Sequence, residues 1–293
     1  MPEVPARSDE QGCRVRTSAE VDGGRVPVSV VIPCFCCSAT IGRAMDSVAV
    51  QTAVPFEVIL VDDASPDGGE TLNALHLMAA RHGDVFDVKI IALKENGGAG
   101  SARNRGWELA SQPYIAFLDA DDAWHPQKIE YQLDWMTRHP AYGLVGHAHM
   151  RCDASHPAWP VLGPGNLVFP ISRIKAMLSN PFATRTVMLK RELPFRFKEG
   201  KRYAEDYLLW LQIICSGVPA ARGNLPLAAT FKEDFGEGGL SANLWPMEKG
   251  ELDAYRQILR EGRIGRAQFL LLSIFSVVKF FRRFVLACRS GRR

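Results

Sequence analysis

Tyr114-Ile115-Ala116-Phe117-Leu118-Asp119-Ala120-Asp121-Asp122-Ala123-Trp124 runs from apolar residues straight into three carboxylates within four positions. The first five residues read as a buried strand and the acids as the rim at its carboxyl end. Carboxylates this close repel one another by about 1 kcal/mol or more per pair, depending on the local dielectric. A chain keeps such a cluster when a cation neutralises it. Hard divalent ions prefer oxygen ligands, and Mg²⁺ takes one or two carboxylates plus substrate phosphates. On these residues alone, a solvated acidic turn is an equal alternative.

The sequence upstream shifts that balance. Val28-Ser29-Val30-Val31-Ile32-Pro33 reads as a strand buried on both faces and ended by Pro33. Residues 39–51 have helical spacing, with Ile41, Met45 and Val48 on one face. A second strand over 56–61 ends at Asp62-Asp63, and Ser65-Pro66-Asp67-Gly68 is a turn. A helix over 70–82, a third strand over 88–93, the glycine-rich Asn96-Gly97-Gly98-Ala99-Gly100 and a helix over 101–110 lead into the stretch above. Strand and helix in alternation imply an α/β fold with a mostly parallel central sheet and helices on both faces. Ligands bind such sheets beyond the carboxyl ends of the strands. Three sequence-distant polar clusters fall there: Asp62-Asp63, Asn96 to Arg103, and Asp119 to Asp122.

Downstream, His125-Pro126 opens a helix to about Arg138, and residues 142–146 read as a short strand. Residues 151–180, rich in Pro, Gly and Ser, read as a loop-rich insertion that shapes a pocket. A strand is expected over 185–189, a buried helix over 204–216, an irregular glycine-rich lid over 228–243 and a helix over 243–260.

Composition is that of a globular chain: 293 residues, 47% hydrophobic and 23% charged. Net charge is +3, but eight basic residues and no acidic one follow Glu261, so the first 261 residues carry −5. A mildly acidic body does not suit nucleic acid. The seven cysteines lack zinc-site spacing and read as reduced thiols in a cytoplasm, with Cys34, Cys36 and Cys37 packed near the first strand end. Residues 1–26 read as a disordered tail rather than a signal peptide.

The ordered motifs "VSVVIPCF", "VDDASPDG", "ENGGAGSARNRG", "FLDADDAWHPQKI" and "AEDYLLW" closely resemble the inverting family 2 glycosyltransferases of the GT-A fold. The resemblance spans about residues 28–210. It implies a GT-A catalytic unit over 27–242, a helical extension over 243–293 and a nucleotide-sugar donor. By that likeness Pro33 and Phe35 lie beside the base, Asp63 accepts a hydrogen bond from it, and Asp62 shares that role. Gly97 and Gly98 let the backbone approach the nucleotide, and Arg103 reaches toward it. Asp119-Ala120-Asp121 matches the DXD motif, which meets the ribose and a Mn²⁺ or Mg²⁺ ion. Asp121 or Asp122 binds that metal. Glu205-Asp206 matches the family's acidic pair, with Asp206 the first choice for catalytic base and Glu205 the second.

The chemistry suits these residue types. A metal stabilises the leaving nucleoside diphosphate as a Lewis acid, and a carboxylate takes the proton from the acceptor hydroxyl. No QxxRW motif and no set of membrane spans accompanies them, which implies transfer of a single sugar. A histidine that many relatives place late in the chain is missing, and Lys232 and Ser241 stand in the matching region. Lys201 and Arg202 read as surface charge, with contact to an acceptor or phosphate as the alternative.

The apolar residues 267–278 are too few to span a bilayer, which needs about 20. With Lys279-Phe280-Phe281-Arg282-Arg283 behind them, they suit an interfacial helix on an anionic membrane. The expected acceptor is a glycan or lipid-linked sugar in cell-surface polysaccharide biosynthesis. The expected location is cytoplasmic, with peripheral contact at the inner membrane face. A sugar-phosphate nucleotidyltransferase is disfavoured, because residues 34–40 after the first strand contain neither glycine nor arginine. A non-catalytic binding module would be expected to lose the acids.

Overall fold

The computed structural model describes residues 24–152, 157–163, 167–231 and 244–290. The expected disordered tail lies almost wholly outside them, as does the lid from 232 to 243. In chain order the elements are β1 (Val26–Cys34), α1 (Ile41–Ala49), β2 (Pro55–Asp62), α2 (Glu70–His82), β3 (Asp87–Ala92), α3 (Ala99–Leu109) and β4 (Tyr114–Phe117). There follow β5 (Ala123–Trp124), α4 (Lys128–Arg138), β6 (Leu144–Arg151), β7 (Val168–Pro170), α5 (Arg173–Leu178), β8 (Met188–Lys190), α6 (Glu205–Cys215), β9 (Ala220–Thr230), α7 (Leu244–Arg260) and α8 (Arg266–Ser290).

One sheet runs in the order β3-β2-β1-β4-β8-β6-β9-β5, with β7 also pairing β9. The first four strands are parallel, as their unbroken apolar runs require. Beyond β4 the sheet is mixed: β8 runs antiparallel to β4 and β6, β5 and β7 run antiparallel to β9, and β6 and β9 are parallel. Parallelism is therefore confined largely to the half that the motifs cover.

Alternate residues serve opposite faces. Val31, Ile59, Val61, Ile115 and Phe117 join one core with α3 and α6. Val30, Ile32, Val58, Leu60 and Leu118 join the other with α1, α2 and α4. Pro33 does not end β1; it pairs in register with Val61. The Val31 carbonyl accepts from Leu118 on the β4 side, so two residues on, the missing Pro33 N–H faces a side where the ladder with β4 has already ended.

Two stretches differ from expectation. The 151–180 insertion carries β7 and α5, and the region read as irregular from 228 begins as the end of the 11-residue strand β9. Arg222, Gly223, Asn224 and Pro226 break the apolar alternation of β9, and register shifts against β6 absorb the break.

Three helices are tied together by one hydroxyl. Tyr207 Oη donates to a backbone carbonyl of α5 (Ala176 at 2.9 Å, Met177 at 2.8 Å) and meets Tyr255 Oη of α7 at 3.1 Å. Helix α7 also buries Ala254 and Ile258 in the α6 core. Helix α8 docks through its polar side: Ser276 donates to Glu248 at 2.7 Å, Arg283 to Glu248 at 3.1 Å, and Lys279 pairs with Glu251. Leu272 and Phe269 also pack into the α6 core, but most of the apolar residues of α8, Leu271, Ile274, Val278 and Phe281 among them, face outward.

Candidate active site

The rim is built where β1, β2 and β4 end. Asp63 is 2% exposed, and its two carboxylate oxygens accept from the backbone amides of Gly97 at 2.8 Å and Gly98 at 2.7 Å. Its carbonyl accepts from Asn96 Nδ2 at 3.0 Å. This grip holds the turn before α3, and Gly98, at φ +84°, adopts a backbone that other residues resist. Asp62 accepts from the Ser65 hydroxyl at 2.5 Å, and Ser65 Oγ accepts from the Cys36 amide at 2.9 Å. Pro33 is buried in β1, whereas Phe35 is exposed at the strand mouth. Cys34 and Cys37 are packed as expected, but Cys36 is exposed.

Helix α3 lies unusually close to β1. A Cβ at Gly106 would meet Val31 Cγ1 at 2.4 Å. That approach carries Arg103, buried on the same helix, into the centre of the site. Its Nη2 donates to Asp119 Oδ1 at 2.6 Å, and its Nη1 stands 3.7 Å from Glu205 Oε1. One guanidinium thus joins the acids after β4 to the acids that open α6.

A second arginine, from the segment before β8, completes the acidic turn. Arg185 Nη1 donates to Asp122 Oδ2 at 2.7 Å and lies 3.5 Å from Asp119 Oδ2. Asp122 is fully buried, and burial pushes its carboxyl up to about 7 against the pull of Arg185. Asp121 is half-buried on the turn, and its carbonyl accepts from Arg43 Nη2 at 2.6 Å. Arg43 in turn stacks on the Phe231 ring, 3.6 Å from its centroid.

Glu205 and Asp206 form the first turn of α6, where the helix dipole favours negative charge. Ala204 before them sits at φ +52°, a left-handed conformation costly for a residue with a side chain. Burial and neighbouring Asp206 raise the Glu205 carboxyl to about 7, while Arg103 pulls it down. Burial raises Asp206 as well, opposed by the Tyr207 amide at 2.7 Å and Asn180 Nδ2 at 3.1 Å. Such carboxylates are better proton acceptors than exposed ones.

Among the described residues no three His, Cys, Asp or Glu side chains converge as a metal-ligand set. The donor chemistry nonetheless fits a divalent ion that takes one or two carboxylates and completes its shell with phosphate oxygens. Asp119 and Asp121 have the exposure for this, whereas the Asp122 carboxylate is turned inward onto Arg185. Arg43, Arg185 and Asn180 were not legible beforehand as site residues. The acids they meet, Asp121, Asp119, Asp122 and Asp206, lie 26 to 78 residues away, and no local pattern marks them. Lys232 and Ser241 lie outside the described residues.

The chain is also similar to known proteins in sequence and in fold. The family model "Glycosyl transferase family 2" matches residues 29–200. TuaG of Bacillus subtilis (strain 168), named as a teichuronic acid biosynthesis glycosyltransferase, is 30% identical over 80% of this chain and 88% of its own. WfaP of Escherichia coli, a UDP-Glc:α-D-GlcNAc-diphosphoundecaprenol β-1,3-glucosyltransferase, is 30% identical over 68% of this chain and 74% of its own. The solved mannosyltransferase PcManGT of Pyrobaculum calidifontis, in complex with GDP-Man and Mn²⁺, superposes with a TM-score of 0.64 at 19% identity. It covers 91% of this chain and 76% of its own, and it shows the GT-A fold. The chain belongs to glycosyl transferase family 2 and is a glycosyltransferase.

Proposed function

We propose that the protein is a metal-assisted, inverting transferase that moves one sugar from a nucleoside-diphosphate sugar to a hydroxyl of a lipid-linked glycan. The observation that carries this is Arg103, which faces Asp119 with one nitrogen and Glu205 with another. A donor held at Asp63, Gly97, Gly98, Arg103 and Asp119 would present its anomeric carbon toward the acids of α6. Asp206 is the base that removes the acceptor proton, and Glu205 shapes its charge. Asp121, with Asp119, would hold the divalent ion, and Asp122 seats Arg185. When bound, the ion supplies Lewis-acid stabilisation of the departing diphosphate.

The donor class is supported by the nucleotide sugar and Mn²⁺ bound by PcManGT, and the acceptor class by the substrate in WfaP's name. The test is turnover of a nucleotide-sugar panel with Mn²⁺ or with a chelator, with the product anomer read by NMR. Metal-dependent turnover to the inverted anomer is expected. Retention of configuration, or absence of any metal-dependent binding of nucleoside diphosphates, would sink the reading.

Residues 243–293 are proposed to bring this catalytic unit onto a membrane surface. No described helix is long and apolar enough to cross a bilayer. Helix α8 instead exposes a continuous apolar stripe, with Leu271 at 67% and Phe281 at 60%, flanked by exposed Arg266 and Arg282. A stripe of this kind suits the interface of an anionic bilayer. The protein is expected to float with phosphatidylglycerol vesicles, and Leu271→Asp to reduce the bound fraction. A full-length chain that stays in the soluble fraction would refute the membrane contact.

A further inference from the structure

A cavity of about 530 Å³ lies between the Lys198–Tyr203 turn and the first turns of α7, beside the site described above. Its floor is close-packed backbone: a Cβ at Gly250 would meet the Tyr203 carbonyl oxygen at 2.7 Å. Lys201 fastens that floor, donating to the Gly250 carbonyl at 3.0 Å and to Asp253 at 2.8 Å. Lys201 and Asp253 therefore offset one another.

Three further cations line the walls, Lys198, Arg202 and Lys249, against Glu199 alone. All three are exposed, and none is in a salt bridge with an acid among the described residues. Lys198 reaches the neutral Gln257 amide at 3.3 Å, and Lys249 lies 5.3 Å from the Trp245 ring centroid. Arg202 donates to Asn96 Oδ1 at 3.2 Å, so one wall of the cavity touches the glycine-rich turn. Three residues further on, the chain reaches Glu205. On the other side, Trp245 packs on Phe280 of α8 with centroids 5.6 Å apart. The cavity therefore sits between the catalytic acids and the helix with the exposed apolar stripe.

We propose that this cavity binds the phosphate or diphosphate group of a lipid-linked acceptor, with the lipid leaving along Trp245 toward α8. Excess positive charge, a guanidinium that can take two phosphate oxygens and a volume typical of small-ligand sites suit such a group. A sugar carried on that phosphate would lie on the Glu205–Asp206 side, where its hydroxyl is to be deprotonated. The proposal rests on the transferase reading and specifies its acceptor.

The test uses the full chain and three soluble probes: geranyl diphosphate, inorganic pyrophosphate and UDP. The double variant Lys198→Glu, Lys249→Glu changes exposed residues, and an unchanged melting curve checks its fold. Expected are tighter binding of geranyl diphosphate than of pyrophosphate by the native chain, and a loss of about tenfold or more for geranyl diphosphate in the variant. UDP affinity should change less than about twofold, since its site is at the strand ends. Equal binding of pyrophosphate and geranyl diphosphate would overturn the lipid assignment. Unchanged geranyl diphosphate binding in the variant would overturn the cavity. An equal loss of UDP binding would assign the cavity to the donor instead. Absence of UDP binding by the native chain, with Mn²⁺ present, would bring down the transferase reading and this one with it.

Discussion

Replacing Arg103 by methionine keeps most of the buried stem and removes the charge that joins the two halves of the site. Glu205 Oε1 then loses a cation 3.7 Å away. At that distance and an effective dielectric of about 20, the interaction is about 4.5 kcal/mol, or roughly 3 pK units. The guanidinium charge is spread over three nitrogens and water can enter the vacated space, so the expected rise is about 1–3 units above the native value. In the native protein the Glu205 carboxyl is raised from 4.5 to about 7. A group raised on folding stabilises fully below its unfolded pKa, and that contribution is lost as pH rises through the folded one. Melting temperature in the native chain should therefore fall between about pH 4.5 and 7 from this group, and in Arg103→Met the fall should continue above 7. The acid limb of the donor-turnover profile should move up with it. Arg103→Lys, which keeps a charge without the fork, should restore the limb in part. A limb and a melting profile that both stay within about 0.3 units of the native ones would refute the bridge.

Three other outcomes are expected. Asp206→Asn should lower turnover by about 10²–10⁴-fold while UDP affinity stays nearly unchanged, and Glu205→Gln should lower it less; the reverse order would exchange their roles. Arg185→Met leaves Asp122 buried without its partner and should cost about 3–5 kcal/mol in urea denaturation. Because Asp122 already stands at about 7, protonation relieves part of that loss below pH 6, and the deficit should be larger at pH 8. Lys128 is fully buried, its ammonium faces the Trp124 ring at 3.8 Å, and no hydrogen-bond acceptor reaches it among the described residues. Burial holds its pKa well below 10.5, so its contribution to stability is present above 10.5 and lost as pH falls. Lys128→Met should therefore stabilise by about 1–3 kcal/mol at neutral pH, and a lower melting temperature would argue against it.

The parallel half of the sheet was legible because each strand there is a short apolar run that ends in its own polar cluster. Asp63, Gly97, Gly98, Asp119 and Glu205 stand in short contiguous motifs, and the likeness of those motifs to the family's singled them out. Strand β9 was missed because Arg222, Gly223 and Pro226 break its period, and only the partner β6 supplies the compensating register shift. Helix α8 was legible as basic and apolar, but not in orientation. Glu248 and Glu251 on α7 draw Lys279 and Arg283 onto the protein, Leu272 and Phe269 pack inward beside them, and the larger apolar stripe is left outside.

By itself the sequence determined the chemical inventory: a sheet whose strands end in polar clusters, an acidic turn after β4 and an acidic pair opening α6. The tertiary structure decided how those acids are neutralised. Arg103 and Arg185 reach Asp119 and Asp122 from 16 to 66 residues away. Charge pairing across such separations depends on which side chains the packed core brings within a few ångströms, and no local period encodes it. Asp122 thereby became a buried anchor for Arg185, and Arg103 became the link between the acids after β4 and the acids that open α6.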